Sequence, residues 1–379
     1  MSTAAMPSPA PLAPVTDFAP LVGVRVLDFS HVIAGPFATF LLARLGAQVT
    51  KVESLDGDVM RRAGQGGDKF LALNAGKHHL RLDLRSEEGR HQAEALALAS
   101  DVVVDNLRPG VLEGFGLGYA ALQARHPGLL YCTISGYGRG AEEWRARPAY
   151  DHVIQAASGM AWMAGAEGDP PVKTGFPVVD SATGLLAALA ILSALRERER
   201  SGRGALVDVS MAGAALQLMY PLACDALTTG SVPPRVGNQG YSGSPAADFF
   251  QAEDGWLAIG ANTPRQLLAV LQVLGLGHLA SDPAVFAQPL DAGGPVSFVR
   301  ALDPAALKAA LARAIAARGA AELEAAISQA GAPAARLRTI AEFSREAADN
   351  GCIGTVVLTE GETTVRSTGL GFQVYRPLG

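Results

Sequence analysis

The sequence predicts an α/β protein: a doubly wound parallel sheet in the first half and a smaller α+β unit after it. Three observations carry this. Short apolar runs alternate with helix-period segments from VRVLDF at Val24 to ALVDVS ending at Ser210, the βαβ pattern that places parallel strands in one sheet. The chain has 379 residues, more than one core usually holds, so two domains are the starting expectation. At SVPPRVGNQGYSGSPAAD the composition turns to Gly, Ser and Pro, as a linker or mobile loop does.

Residues 1–20, MSTAAMPSPAPLAPVTDFAP, lack the basic start and apolar core of a signal peptide and read as a disordered lead-in. VRVLDF is the first strand, HVIAGPF turns into the helix ATFLLARLGA, and QVTKVE is the second strand. That turn carries Gly35 and Pro36 but no G-x-G-x-x-G, which argues against a nicotinamide or flavin. After the loop GDVMRRAGQGGDKF comes the strand LRLDL, then SEEGRHQAEALALAS, an amphipathic helix capped by Ser86. DVVVDN is a strand whose Val run suits burial on both faces. LRPGVLEGFGLG is loop, YAALQARHPG a helix, and LLYCTISGYG a strand in which Cys132 reads as a core thiol. AYDHVIQAASGMAWMAG reads as a helix with small residues on one face.

The stretch from Pro171 to Ser210 holds one acid at the mouth of a long apolar helix, Asp180. PVVD reads as extended, and LLAALAILSAL is helical, with no Gly or Pro after Gly184. Asp180 therefore falls at or next to a helix N-terminus, where unpaired N–H groups and the helix dipole favour the ionised carboxylate. Two readings stay open: an N-cap, and a nucleophile for acyl transfer. MAGAALQLMYPLACDALTTG is a further helix. FFQAEDGWLAIGA is a hairpin turning at Asp254-Gly255, PAALKAALARAIAAR and GAAELEAAISQA are helices, and GTVVLTEGETTVRSTGLGFQV holds two strands around a Glu-Gly turn.

Charged residues are 18%, hydrophobic ones 49%, and the net charge is −5. This suits a globular protein and points to neither nucleic acid nor a membrane as partner. No apolar run free of charge, Gly and Pro is long enough to cross a bilayer, and a cytoplasmic location is expected. Cys132, Cys224 and Cys352 are isolated, with no CxxC and no His at ligand spacing, so a reduced compartment and no metal site are expected.

Several motifs stand in order: LDFSHVIAGP, LGAQVTKVE, DVVVDNLRPG, SGYG, YDHVIQAASGM, VVDSATG and RSGRGALVDVSM. Together they make the chain, from Leu21 on, resemble the class III CoA-transferase family, which contains formyl-CoA transferase, carnitine CoA-transferase and alpha-methylacyl-CoA racemase. The resemblance implies a Rossmann-like large CoA-binding domain built from residues 21–225 and 335–379, a small α+β domain with linkers over 226–334, and a homodimer interlocked like two rings. It implies that Asp180 is catalytic. CoA would move from an acyl-CoA donor, expected to be succinyl-CoA, to a carboxylic acid, expected to be a small dicarboxylate. The route runs through mixed anhydrides and an aspartyl-CoA thioester, with CoA as substrate and no tightly bound cofactor or metal.

By the same resemblance His31, Val32, Ile33 and Ala34 line the pantetheine and active site. Leu82 and Arg85 lie on the adenine side, Asn106, Leu107 and Arg108 in the nucleotide-binding loop, and Tyr137 near the thiol end. Gly237, Asn238, Gly240 and Gly243 form a candidate lid that shields the anhydride from water. Arg139 and Lys173 are the cationic side chains to watch for an acidic acceptor, with a plain surface charge as the alternative for each.

The sequence departs from formyl-CoA transferase, which has a glutamine where Ile33 stands, a basic residue at Ser54 and a lysine at Ser135, so a formyl-CoA and oxalate pairing is not expected. The family's usual last helix does not follow RPLG, and some dimer wrapping is expected to be lost with it. Two other functions stand beside transfer. An alpha-methylacyl-CoA racemase needs two opposed bases, and the racemases place a histidine where Tyr150 stands; a phenol is a poor base at neutral pH. His152 lies two residues on, about 200° around a helix. A CoA-binding protein without turnover is the other, and the presence of Asp180 argues against it.

Overall fold

The computed structural model describes residues 12–64, 67–140, 142–292 and 297–377. Residues 1–11 of the expected lead-in lie outside the described residues. The chain divides into two compact units. One holds the described residues through Ala161, Lys173–Val232 and the residues from Ala347 on; the other holds Trp162–Val172 and Pro233–Glu346.

The first unit is built on β1 (Leu12–Pro14), β2 (Arg25–Asp28), β3 (Gln48–Glu53), β4 (His78–Arg81), β5 (Val102–Asp105), β6 (Leu130–Ser135) and β7 (Ala205–Ser210). Six of these form one parallel sheet in the order β4-β3-β2-β5-β6-β7. This is the doubly wound order, and it reverses between β2 and β5, so a crevice opens at their carboxyl ends. The Val run of β5 explains the two covered faces. Val102 and Val104 pack in a layer with Leu42, Ala187 and Ile191 from helices Ala34–Arg44 and Val178–Ser201. Val103 packs in the opposite layer with Ala93, Ala97 and Leu122 from helices Glu87–Leu98 and Tyr119–Arg125. Alternate side chains of a strand point to opposite faces, so both layers draw on the same three residues.

The second unit has its own core. β8 (Ala247–Ala252), β9 (Gly255–Gly260) and β10 (Ala334–Arg336) form an antiparallel sheet in the order β10-β9-β8. Leu257 and Ile259 pack there with Leu267, Leu271, Leu311, Ile315, Leu323 and Ile327 from three helices. Residues 335–346, expected in the large domain, fall in this unit, because β10 pairs with β9.

Three local expectations change. Residues 12–14 are not a disordered lead-in: β1 pairs antiparallel with β13 (Tyr375–Pro377), a strand that follows β11 (Val356–Glu360) and β12 (Thr363–Ser367). The expected helix over AYDHVIQAASGMAWMAG breaks after Asp151–Ala157, where Gly159 takes a left-handed φ of 85°. PVVD is not extended: the long helix is Val178–Ser201, so Asp180 is its third residue and not its cap. This helix has a window of mean hydropathy 1.9 and is long and apolar enough, by length and composition, to cross a membrane. In the fold Val179, Thr183, Ala187, Ile191 and Leu195, at helical spacing, are buried.

Candidate active site

Two loops meet at the crevice, one after β2 and one after β5. The Asn106 carboxamide clamps them: its oxygen accepts from the His31 N–H at 2.9 Å and its nitrogen donates to the His31 carbonyl at 2.9 Å. The next residue, Val32, has φ 68°. A β-branched residue in the left-handed region costs on the order of 1–3 kcal/mol and persists only where neighbours hold it. Here the Val32 N–H donates to Asp58 at 3.2 Å, Asp58 pairs with Lys51 at 3.3 Å, and the Lys51 ammonium donates to the Ser30 carbonyl at 2.5 Å. Below them the buried Asp28 carboxylate accepts from the Ser30 N–H and hydroxyl, the Thr39 hydroxyl and the Lys77 ammonium. Burial alone would raise the Asp28 pKa, but Lys77 and Lys51, with the hydrogen bonds from Ser30 and Thr39, together outweigh it and hold it below the usual carboxylate range.

The loop runs into helix Ala34–Arg44, which has no side-chain cap and no acid in its first turn. The first N–H groups of a helix have no intrahelical acceptor, so this end is a ready anion site. Helix Val178–Ser201 comes against it through Gly184, where an added Cβ would meet the Ala34 carbonyl at 2.8 Å and Phe37 at 2.9 Å. The small residue in VVDSATG thus brings two helix N-termini together.

Asp180 stands in the first turn of the second helix, yet it does not cap it. Asp151 does: its carboxylate accepts from the Val179 N–H at 2.7 Å and the Asp180 N–H at 3.0 Å, and also from the Gln155 side chain. Among the described residues nothing donates a hydrogen bond to the Asp180 carboxylate. Burial, and secondarily the charge of Asp151, raise its pKa from 3.8 to about 6. That rise corresponds to about 3 kcal/mol against the ionised form. A helix N-terminus favours the charge by only about 0.3–1 kcal/mol at an exposed site, so burial wins, contrary to the expectation of a carboxylate held ionised.

A cavity of about 190 Å³ is lined by His31, Val32, Ile33, Ala34, Asn106, Leu107, Arg108, Arg145, Arg147, Tyr150 and Asp180, among others. A second, of about 520 Å³, is lined by His31, Lys51, Leu82, Arg85 and Leu107 among others, and shares His31 and Leu107 with the first. Nine of the expected CoA-contacting residues therefore border one or both cavities. Tyr137 borders neither; it packs edge-on against Trp144, with ring centroids 5.3 Å apart. The His31 ring has its pKa lowered chiefly by burial, so it is neutral at pH 7.

Arg139 and Lys173 do not line the cavities. Arg139 is bound to Glu113 at 2.8 Å, and Lys173 is exposed and donates to the Thr174 carbonyl. Gly237, Asn238, Gly240 and Gly243 belong to the second unit. There the Gly237 N–H donates to Gly165 at 3.1 Å and the Gly240 N–H to Ala247 at 2.7 Å, so this segment is tied by main-chain bonds. Sequence reasoning missed Asp151, Arg145 and Arg147. The YD pair in YDHVIQAASGM marked the first; the RAR before Pro148 was the only signal for the other two.

The fold and site define a doubly wound α/β protein with an unpaired carboxylate at the switch-point crevice. The chain belongs to CoA-transferase family III, whose sequence model matches residues 21–376. It is 37% identical over 284 residues to an acyl-CoA transferase of Fusarium pseudograminearum, a match covering 71% of this chain and 62% of that protein. It is 34% identical over 270 residues to the succinyl-CoA–L-malate CoA-transferase alpha subunit of Chloroflexus aurantiacus, covering 69% of this chain and 63% of that one. The chain thus spans somewhat less than two thirds of the length of these relatives. A crystal structure of a CAIB/BAIF family protein from Brucella suis has a TM-score of 0.78 at 31% identity, covering 89% of both chains. The Rv3272 protein of M. tuberculosis also has a TM-score of 0.78, at 30% identity, covering 94% of this chain and 92% of that one.

Proposed function

We propose that this chain is a CoA-transferase that moves coenzyme A from succinyl-CoA to a small dicarboxylic acid, with Asp180 as nucleophile. One observation carries the reading: among the described residues the only acid lining the smaller cavity is Asp180, a carboxylate that receives no hydrogen bond and whose pKa is raised to about 6. Such a group is reactive where a saturated one is inert. The names of the relatives supply the substrate class.

The ionised Asp180 oxygen attacks the thioester carbonyl. The C–S bond breaks, CoA leaves as thiolate, and a mixed anhydride forms. The thiolate then attacks the Asp180 carbonyl carbon and releases the donor acid, which leaves an aspartyl-CoA thioester. The acceptor carboxylate attacks that thioester, and the same steps run in reverse. The first-turn N–H groups at Ala34 and Gly35 are the candidate oxyanion donors. The larger cavity takes the nucleotide and pantetheine, with Leu82, Arg85 and Leu107 around them, and Asn106 and Arg108 line the smaller cavity beside it. Tyr150 lines the cavity at the racemase histidine position and His152 does not, which favours transfer over racemisation. The reading includes a second copy of this chain. Leu185 and Leu189 on the long helix, and Leu216, Leu218, Tyr220, Leu222 and Leu227 after it, are exposed large apolar side chains, and surfaces of this kind bind partners.

Intact-protein mass spectrometry tests the reading. Wild type incubated with succinyl-CoA gains a CoA-sized adduct that a dicarboxylic acid discharges, and Asp180→Ala gains none. Absence of the adduct from wild type with every acyl-CoA offered would sink the reading.

A further inference from the structure

Several arginines elsewhere in the first unit meet carboxylates: Arg61 pairs with Glu53, Arg139 with Glu113, Arg198 with Asp101. The chain has 36 acidic residues against 31 Lys and Arg, so partners are in excess. Yet Arg108, Arg145 and Arg147 all line the Asp180 cavity, and none is ion-paired among the described residues. Among the described residues the cavity's only carboxylate is Asp180 itself. Its lining therefore carries an excess of positive charge.

All three line the smaller cavity alone, but Arg108 follows Leu107, which borders both cavities, whereas Arg145 and Arg147 sit on a separate segment. These two are set on a braced segment. The Arg147 guanidinium lies over the Trp144 ring, 4.6 Å from its centroid, and the Arg147 N–H donates to the Trp144 carbonyl at 2.9 Å. Tyr137 packs edge-on against the same ring. Four residues after Arg147, Asp151 holds the N–H of Asp180. The arginines and the nucleophile are thus linked through one short segment and one hydrogen bond. At about 190 Å³ the cavity is smaller than the roughly 300–1,000 Å³ of drug-sized ligand sites, and it suits a short acid.

We infer that Arg145 and Arg147 grip the distal carboxylate of a short dicarboxylic acid while Asp180 engages its other end. The inference rests on the transferase reading. A guanidinium fork matches a carboxylate in a bidentate, charge-assisted pair. In a transfer through an enzyme-bound CoA ester, the donor acid and the acceptor acid occupy the same place in turn, so one grip serves both.

The test keeps the CoA part constant. Wild-type protein is charged with succinyl-CoA, freed of excess donor, and its CoA adduct discharged with glutarate or with pentanoate, acids of equal length. Wild type prefers glutarate. In Arg147→Gln and Arg145→Gln the glutarate-to-pentanoate ratio falls about 10–100-fold, the size expected for a charged hydrogen-bonded pair, and Arg147→Lys recovers part of it. Unchanged melting temperature and CoA affinity separate this from misfolding, and either variant suffices if the other does not fold. A wild-type adduct discharged equally by both acids overturns the inference and leaves the transferase reading standing. Equal loss of both acids in the variants also overturns it. No adduct on wild type overturns the transferase reading, and the inference falls with it.

Discussion

Asp28 and Asp180 are both carboxylates at the switch-point end of the sheet, and they are treated in opposite ways. Asp28 is fully buried and saturated: Ser30, Thr39 and Lys77 all donate to it, and the two lysines hold its pKa low. Asp180 is partly buried, receives no hydrogen bond among the described residues, and has its pKa raised to about 6. The N–H groups that could have served Asp180 are taken by Asp151. A charge that is buried and fully hydrogen-bonded is scaffold, because any reaction there would first have to break the network. A charge left short of partners lies higher in free energy and is the one available to a substrate. The scaffold carboxylate fixes the turn that ends in Val32; the free one faces the same cavity as that turn.

The largest effect should come from breaking the saturated site. Lys77→Met removes the ammonium that donates to Asp28, Thr39, Asn74 and the Pro36 carbonyl. It leaves a buried carboxylate short of charge, at a cost of about 3–5 kcal/mol. Urea unfolding should show this as a lower midpoint with an unchanged slope. A loss below about 1 kcal/mol would mean that Asp28 takes up a proton instead. The same test at Asp180 should have the opposite sign. Its proton affinity is higher folded than unfolded, so there is almost no cost below about pH 3, where both states are neutral. As pH rises from 3.8 to about 6 the unfolded state ionises first, and stability falls by up to about 3 kcal/mol and stays lost above that. Asp180→Asn cannot ionise. It should recover most of that at pH 7.5 and almost nothing at about pH 3, while CoA transfer is abolished. Equal stability of the two proteins at pH 7.5 would make Asp180 an ordinary surface acid.

The two sites differ as much in how far the sequence reveals them. The strands that frame both were legible, because VRVLDF, QVTKVE and DVVVDN carry short-period apolar patterns, and Cys132 is buried in β6 as its apolar run implied. The motif residues from His31 to Ala34 and from Asn106 to Arg108 were legible through resemblance. What was hidden is non-local. Asp151 caps a helix 28 residues downstream in sequence, which is why PVVD read as extended and Asp180 as a cap. The pairing of β1 with β13 joins opposite ends of the chain, and no local pattern announces it. Arg145 and Arg147 look like any surface arginines until the cavity beside them is seen. Arg139 looked better placed, but Glu113 holds it.

The smallest effect asks how much of the Asp180 environment Asp151 supplies. In the proposed reaction the ionised carboxylate attacks, so adduct formation from succinyl-CoA should rise with pH through about 6 and level off above it. Asp151→Asn keeps an oxygen that can accept one of the N–H groups at Val179 and Asp180, and removes the like charge. Burial outweighs that charge as a cause of the raised pKa. The acid limb should therefore move to lower pH but stay above the usual carboxylate range of about 3.9. Helix stability should fall by about 1 kcal/mol or less, since an amide caps nearly as well as a carboxylate. If the limb drops all the way into the ordinary range, repulsion between the two acids governs Asp180, and the contrast with Asp28 becomes one of neighbouring charge. If it does not move, the cavity wall alone sets the pKa, and Asp151 is a cap and nothing more.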